Sequence, residues 1–184
     1  SAVDFLEKMN VPAYKIASFE IVDIPLIEYA ASKGKPIIIS TGIASLEEID
    51  DAVRACKKTS NEQIALLKCT SSYPAPIDEA NLKAISFLER KFKVPAGLSD
   101  HTLGITVPIA ATALGAKIIE KHFIIDRSIG GPDSSFSLEP SQFKQMVDSV
   151  REVEKAIGKA SLSLSEKVIA SRKFARSLFA VSDI

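Results

Sequence analysis

Two histidines are the strongest candidates for chemistry in the sequence. His101 ends one short apolar run and His122 ends another. If both runs are strands of one parallel sheet, their carboxyl ends meet at the same edge and the two imidazoles are neighbours. Adjacent imidazoles that leave positions open for water or substrate oxygens are typical of a metal site, with Asp100 and Glu120 as candidate partners for the rings. The alternative is a buried, hydrogen-bonded histidine or an acid–base residue.

Hydroxyl side chains stand at four consecutive predicted strand ends, together with one lysine. Such a ring can hold an anionic group through hydrogen bonds. Lys15 lies in an otherwise apolar strand, where burial without an anion is costly, so we expect an anion contact, a Schiff-base nucleophile or a side chain that reaches the surface. Each hydroxyl alone is more often a helix cap, as we expect of Thr41. The hydroxyl residues are Ser18, Ser40, Thr41, Thr70, Ser71, Ser72 and Ser99.

A turn-rich loop follows the run that ends at His122. It reads Gly-Gly-Pro-Asp-Ser-Ser over residues 130–135, and glycine and proline by themselves indicate only a loop. Asp133 is a candidate to orient a ligand hydroxyl or a metal-bound water. A turn or capping role is the alternative.

Composition argues against several function classes. Of the 184 residues, 46% are apolar and 25% charged, and the 23 basic side chains balance the 23 acidic ones. A neutral chain lacks the field that holds a polyanion, so nucleic-acid binding is not expected. No apolar run approaches the ~18 residues of a membrane helix, and the N-terminus has no signal-peptide pattern. Because Cys56 and Cys69 are too few for a disulfide framework, we expect reduced thiols in a soluble, cytoplasmic protein.

Five short apolar runs alternate with helical patterns along the chain. Several runs are continuous, which is typical of strands covered on both faces in a parallel sheet. The predicted strands cover residues 14–18, 36–41, 64–70, 94–99 and 116–122.

The helical patterns have recognisable ends. Ser45 and Glu48 predict a capping box, Asp78 predicts a helix cap, and the last helix is predicted to start near Pro140 and end at Gly158. A further helix is expected over residues 107–114. The predicted buried faces are Leu46, Ile49, Ala52, Val53 and Cys56; Leu82, Ile85 and Leu88; and Phe143, Met146, Val147, Val150 and Ile157.

Alternation of strands and helices predicts an α/β fold with a parallel sheet, either doubly wound or a (β/α)8 barrel. No G-x-G-x-x-G turn follows the first strand, and every predicted strand end is polar, which favours the TIM barrel. Eight units need about 250 residues, so five C-terminal units are expected here. The predicted domains are a partial barrel over residues 1–158 and, over 159–184, a linker and the start of another domain.

Several stretches of sequence resemble the sialic acid synthase family. They are YKIASFE at 14–20, LKCTSSYP at 67–74, GLSDHTLG at 97–104 and IEKHF at 119–123. The run GGPDSSFSL at 130–138 is most similar to the pseudaminic acid synthase branch. Ser71 stands where the sialic acid branch has asparagine, which argues against N-acetylneuraminate as the product; legionaminate is the other alternative within the family.

The resemblance implies a fold, an activity and an assembly. Its members have a TIM barrel followed by a small antifreeze-like (SAF) domain and act as homodimers, so three strands are expected to precede Ser1. They condense phosphoenolpyruvate with an amino-sugar aldehyde, releasing phosphate, and require a divalent cation, commonly Mn²⁺ or Mg²⁺. In the pseudaminate branch the acceptor is a 6-deoxy-2,4-diacetamido hexose of altrose configuration.

The resemblance also implies roles for individual residues. His101 and His122 would ligate the metal. The groups that would hold the phosphoenolpyruvate phosphate and carboxylate are Lys15, Ser18, Ser40, Ser71 and Ser99. Those that would position sugar hydroxyls or relay protons are Glu20, Tyr73, Glu120 and Asp133.

Two other classes compete with this interpretation. A Schiff-base aldolase would use Lys15 or Lys121 as its nucleophile. A catalytically silent, truncated binding or structural protein is the third hypothesis, because the chain carries five of the expected strand–helix units.

Overall fold

The computed structural model describes residues 1–176 and Val181, and its centre is a five-stranded parallel sheet. Each strand pairs with its successor in the chain, in the order β1-β2-β3-β4-β5. The strands are β1 (Tyr14–Ile16), β2 (Ile37–Ser40), β3 (Ile64–Cys69), β4 (Ala96–Asp100) and β5 (Ile119–Lys121). All five predicted strands are therefore confirmed, with somewhat different ends.

Helices connect successive strands, as in β/α units. The seven α-helices described are α1 (Ala2–Lys8), α2 (Ile24–Ala31), α3 (Leu46–Lys58), α4 (Lys83–Phe92), α5 (Thr106–Ala113), α6 (Pro140–Ile157) and α7 (Glu166–Ser171). The capping box predicted for α3 is confirmed: the Ser45 hydroxyl accepts a hydrogen bond from the Glu48 amide at 3.2 Å, and the Glu48 carboxylate accepts one from the Ser45 amide at 2.8 Å.

The sheet is curved into a half-barrel. In a flat sheet, β1 and β5 would lie roughly 19 Å apart, since neighbouring strands are about 4.8 Å apart. The Lys15 ammonium on β1 nevertheless lies 3.6 Å from the Glu120 carboxylate on β5. Two side chains can meet across this span only if the sheet bends around them. The predicted barrel-type α/β fold is confirmed for these five units.

The hydrophobic core lies between the sheet and its helices. Ile37, Ile39 and Leu66 are fully buried and pack in one cluster with Ile49 of α3 and Ile85 of α4. Both cysteines are free, as predicted, and both are buried.

Some local predictions are wrong. Asp78 does not cap a helix, because it lies inside the short 3-10 turn Ile77–Glu79, and α4 begins only at Lys83. Leu46, Val147 and Ile157 are exposed rather than buried. Periodicity identifies the apolar face of a helix but does not supply the element that covers it.

The chain after Gly158 is exposed throughout its described part. The predicted linker and start of a second domain over residues 159–184 stay a prediction, and residues 177–180 and 182–184 lie outside the described residues. Among the helices that the structure describes, none has the length and apolar character needed to span a membrane.

Candidate functional site

The carboxyl ends of β4 and β5 bring the two histidines together. His101 directly follows β4 and His122 directly follows β5. The centroids of their rings lie 5.1 Å apart, with the ring planes at 64°. The parallel pairing of the two strands produces this proximity, because neighbouring parallel strands end at the same edge.

The ring of His101 is buried and held from one side. Its Nδ1 lies 2.9 Å from the Thr70 carbonyl oxygen and 3.9 Å from the Cys69 sulfur. Because a carbonyl only accepts hydrogen bonds, Nδ1 carries the proton and donates it. In the neutral ring Nε2 then keeps its lone pair, which is the form of imidazole that binds a metal.

The ring of His122 is less buried, and an acidic side chain lies beside it. Its Nδ1 lies 3.4 Å from a carboxylate oxygen of Asp133. The structure thus brings Asp133, from the turn-rich loop, to the second imidazole. A carboxylate beside Nδ1 orients the ring in the same way as the carbonyl beside His101, and leaves Nε2 free.

The two imidazoles differ electrostatically. Burial alone lowers the pKa of His101, but hydrogen bonds to Cys69 and Thr70 outweigh burial and raise the pKa above its ordinary value. The pKa of His122 is lowered, first by burial and then by the positive charge of His101, although Asp133 opposes this. His122 is therefore the more readily neutral ring at physiological pH.

Two aromatic rings pack against the histidines. The Tyr73 ring centroid lies 4.2 Å from that of His101 and 6.1 Å from that of His122. Phe136 is buried, with its centroid 4.9 Å from His122 and 5.7 Å from Tyr73. Phe136 was not among the predicted site residues, although it lies in the GGPDSSFSL run that carries part of the family resemblance.

A second cluster lies on the concave side of the sheet. The Ser99 hydroxyl donates a hydrogen bond to the Glu120 carboxylate at 2.6 Å. The same carboxylate lies 3.6 Å from the Lys15 ammonium, which also donates to the Ile16 carbonyl at 2.9 Å. Three of the predicted site residues, from β1, β4 and β5, thus form one connected cluster with a partly exposed ammonium.

Two further hydroxyls converge on the loop after β2. The Gly42 amide donates to the Ser18 hydroxyl at 3.0 Å. A Cβ atom at Gly42 would lie 2.7 Å from the Ser18 oxygen and closer still to the Ser71 oxygen.

The Ser40 hydroxyl, at the end of β2, is buried and has no hydrogen-bond partner within the described chain. Such an unpaired group is rare in proteins.

The structure places Glu20 and Lys121 differently from what the roles considered for them in the sequence require. Glu20 is exposed, and its carboxylate accepts a hydrogen bond from the Ala17 amide at 2.9 Å. In residues 1–176 no hydrogen bond or ion pair joins it to another predicted site residue. Lys121 is fully buried against Asp100 at 2.6 Å. A buried, ion-paired ammonium is not an available nucleophile, so the structure argues against Lys121 as the lysine of a Schiff-base aldolase.

The NeuB family model matches residues 1–161, most of the sequence. The chain belongs to the NeuB family. The resemblance to sialic acid synthases is thereby confirmed.

Two relatives show where the chain lies within the NeuB family. It is 49% identical to the pseudaminic acid synthase of Helicobacter pylori over 184 residues, which cover 100% of this chain and 54% of that protein. It is 44% identical to the N,N'-diacetyllegionaminic acid synthase of Campylobacter jejuni over 189 aligned residues, covering 100% of this chain and 56% of that protein. The chain thus spans about half the length of these relatives.

A solved structure of a NeuB-type enzyme has the same architecture. The crystal structure of N-acetylneuraminic acid synthetase from Leptospira borgpetersenii, in complex with citrate, superposes with a TM-score of 0.86 at 38% sequence identity. The match covers 94% of this chain and 60% of that protein. The half-barrel is therefore the fold of this family over the region that the chain spans.

Metal binding by this NeuB chain would rest on the two histidines. Within the described residues, no group of three or more His, Cys, Asp or Glu side chains is arranged to hold a metal ion. The two imidazoles nevertheless fit a metal chemically, because the Nδ1 of His101 is held by Thr70 and that of His122 lies beside Asp133. Other ligands would come from water or substrate oxygens.

Proposed function

We propose that the protein of which this chain is part condenses phosphoenolpyruvate with a 6-deoxy-2,4-diacetamido hexose to give pseudaminic acid and phosphate, in a metal-dependent reaction. The observation that carries the proposal is the histidine pair, with rings 5.1 Å apart at the mouth of the half-barrel. The names of the relatives support the product class. Legionaminate or N-acetylneuraminate is the alternative product.

The acidic substrate would lie on the concave side of the sheet. Lys15 supplies the positive charge, and the unpaired Ser40 hydroxyl supplies a donor that the described chain leaves unused. Phosphate and carboxylate oxygens accept such hydrogen bonds strongly because they carry charge. The residues assigned to phosphoenolpyruvate are Lys15, Ser18, Ser40, Ser71 and Ser99.

The metal would be held by His101 and His122 through their Nε2 atoms. The chemistry that Mn²⁺ or Mg²⁺ would supply there is that of a Lewis acid toward the sugar aldehyde. Thr70 and Asp133 keep the two rings in the required tautomer by accepting from, or lying beside, Nδ1. The Tyr73 ring, tilted at 42° with its centroid 4.2 Å from that of His101, limits rotation of the imidazole.

The reaction balances with one water molecule. A bond forms between C3 of phosphoenolpyruvate and the aldehyde carbon, water adds to C2, and the bond between C2 and the phosphate oxygen breaks. One proton of the water ends on the new sugar hydroxyl and the other leaves with phosphate. Glu20, Tyr73, Glu120 and Asp133 are assigned to positioning sugar hydroxyls and moving these protons.

The proposal includes the rest of the protein. Three further strand–helix units would close the barrel, and a small antifreeze-like domain would follow the linker. The enzyme would be a cytoplasmic homodimer in which that domain reaches the partner's site.

The experiment measures phosphate release by the intact protein. Release requires both phosphoenolpyruvate and the amino sugar, and a chelator abolishes it until Mn²⁺ or Mg²⁺ is restored. The variant with both His101→Ala and His122→Ala loses activity; full activity in that variant would refute the metal role. Comparing the 6-deoxy-2,4-diacetamido altrose with the acceptors for legionaminate and N-acetylneuraminate identifies the product.

A Schiff-base aldolase gives a different result in a separate experiment. Borohydride reduction in the presence of pyruvate would trap a covalent adduct on a lysine, with Lys15 as the candidate. The condensing reaction leaves no adduct. A protein that gives neither phosphate release nor an adduct fits the catalytically silent hypothesis.

A further inference from the structure

A buried ion pair is formed by the two residues that immediately precede the histidines in the chain. Asp100 and Lys121 are register partners at the last pairing position of β4 and β5. The Lys121 ammonium lies 2.6 Å from a carboxylate oxygen of Asp100, and the two side chains are 0% and 2% exposed. Neither belongs to the residues assigned above to substrate or metal.

Thr102 connects this pair to the loop after β4. Its amide donates to one Asp100 oxygen at 3.0 Å, and its hydroxyl donates to the other at 3.1 Å. The Lys121 ammonium also donates to the Thr102 carbonyl. His101 stands between Asp100 and Thr102 in the chain, and His122 follows Lys121. Every bond of this network therefore involves a residue next to one of the imidazoles.

The cost of the pair argues for a positional role. Removing two charges from water is costly, and an apolar pair of similar size often makes the folded protein equally stable or more stable. An apolar pair, however, makes no directional hydrogen bonds that would fix the orientation of its side chains. The Asp100 carboxylate is bonded to three donors, two of them on Thr102, so the geometry of this strand end is defined by directional contacts.

The other contacts of the histidines do not provide this link. The Thr70 carbonyl holds His101 from the loop after β3, and Asp133 reaches His122 from an exposed loop. Neither joins the ends of β4 and β5 to each other. The ion pair does so, at the positions immediately before the two histidines.

We propose that Asp100 and Lys121 are positioning residues that fix the separation and orientation of the His101 and His122 rings. This proposal deepens the proposed function, since it concerns the same pair of imidazoles. The ion pair holds the two strand ends in one register, and the rings keep the geometry that a shared ligand needs.

The test separates positioning from folding by neutralising both partners. The variant Asp100→Asn with Lys121→Met keeps the side-chain sizes and leaves no uncompensated charge. The matched control is Glu7→Gln with Lys35→Met, which removes an ion pair of 2.8 Å between α1 and a residue two positions before β2. Circular dichroism and thermal unfolding show whether each variant is folded.

The first readout is the imidazole spectrum of ¹⁵N-histidine-labelled protein without metal. Since the sequence contains two histidines, each signal is assigned by one substitution. We expect the Asp100/Lys121 variant to fold, with both histidines shifted or broadened, while the control keeps the native signals. Native histidine signals in the folded Asp100/Lys121 variant would overturn the proposal. Loss of folding in that variant would overturn it too, because the pair would then serve folding alone.

The second readout is the Kd for Mn²⁺, measured by titration of the intact protein. We expect the Asp100/Lys121 variant to bind roughly 10- to 100-fold more weakly, the usual effect of losing the groups that orient metal ligands, and the control to bind as the native protein does. A native Kd in that variant contradicts the proposal. If the native protein itself binds no Mn²⁺, the proposed metal role fails, whereas the imidazole spectra still decide the positioning role.

Discussion

The hydroxyl of Ser18 accepts a hydrogen bond from the Gly42 amide at 3.0 Å, and no side chain fits at Gly42. The backbone of the loop after β2 lies directly against the Ser18 and Ser71 hydroxyls. The loop after β2 thus contacts the segments that follow β1 and β3, where the anionic substrate is proposed to bind.

Gly42→Ala tests this close approach. Its Cβ would overlap the Ser18 and Ser71 oxygens, so the loop or the hydroxyls must move. A displacement of about 1 Å costs roughly 100-fold in catalysis. We expect kcat/KM for phosphoenolpyruvate to fall by that order. Ile43→Ala, at an exposed neighbouring position, is the control; equal losses in both variants would mean that the loop as a whole is sensitive.

Lys15→Met tests the proposed contact with the acidic substrate. The Lys15–Glu120 pair is partly exposed, and such pairs contribute about 0–1 kcal/mol to stability. We expect a small change in the free energy of unfolding and a large rise in KM for phosphoenolpyruvate. Steady-state kinetics and urea unfolding measure the two. A variant with a native KM would remove Lys15 from the binding site.

Tyr73 has a ring and a hydroxyl whose effects can be separated. Tyr73→Phe keeps the ring that lies 4.2 Å from His101, whereas Tyr73→Ala removes it. If the hydroxyl moves a proton, the Phe variant loses roughly 10²- to 10⁴-fold in kcat and keeps the native Kd for Mn²⁺. The Ala variant is expected to lose affinity for Mn²⁺ as well. Native kcat in the Phe variant would exclude proton transfer by Tyr73.

The lowered pKa of Glu7 predicts that the stability of the folded state depends on pH. Hydrogen bonds from Lys35 and from Tyr14 lower its pKa below the ordinary 4.5. A lowered carboxyl pKa stabilises the folded state above the ordinary value, and this contribution is lost as the pH falls through the folded-state pKa. Glu7→Gln should therefore lower Tm at pH 7, with a difference that shrinks below pH 4.5. Glu152→Gln is the control; a difference independent of pH would contradict the assignment.

The sequence predicted the features that follow from local pattern and strand direction. Continuous apolar runs identified all five strands, and the rule for parallel strand ends predicted the meeting of His101 and His122. α1 was missed because its seven residues are too few for a clear periodicity.

Contacts between distant segments were not predictable. Phe136 reaches His122 because its loop folds back, with the Leu138 amide donating to the His122 carbonyl at 2.9 Å. A glycine- and proline-rich sequence gives no sign of this return. Lys121 was considered as a nucleophile because the sequence does not show that its ammonium is buried. In the structure that ammonium contacts the Asp100 carboxylate and the Thr102 carbonyl.

The strand order has a consequence for how the chain acquires its shape. Every β-strand pairs with the strand synthesised immediately before or after it. A growing chain can therefore add one strand–helix unit after another to the described sheet, because each pairing joins segments that are close in sequence. Because the His101–His122 pair needs both β4 and β5, it can form only after β5 has been synthesised.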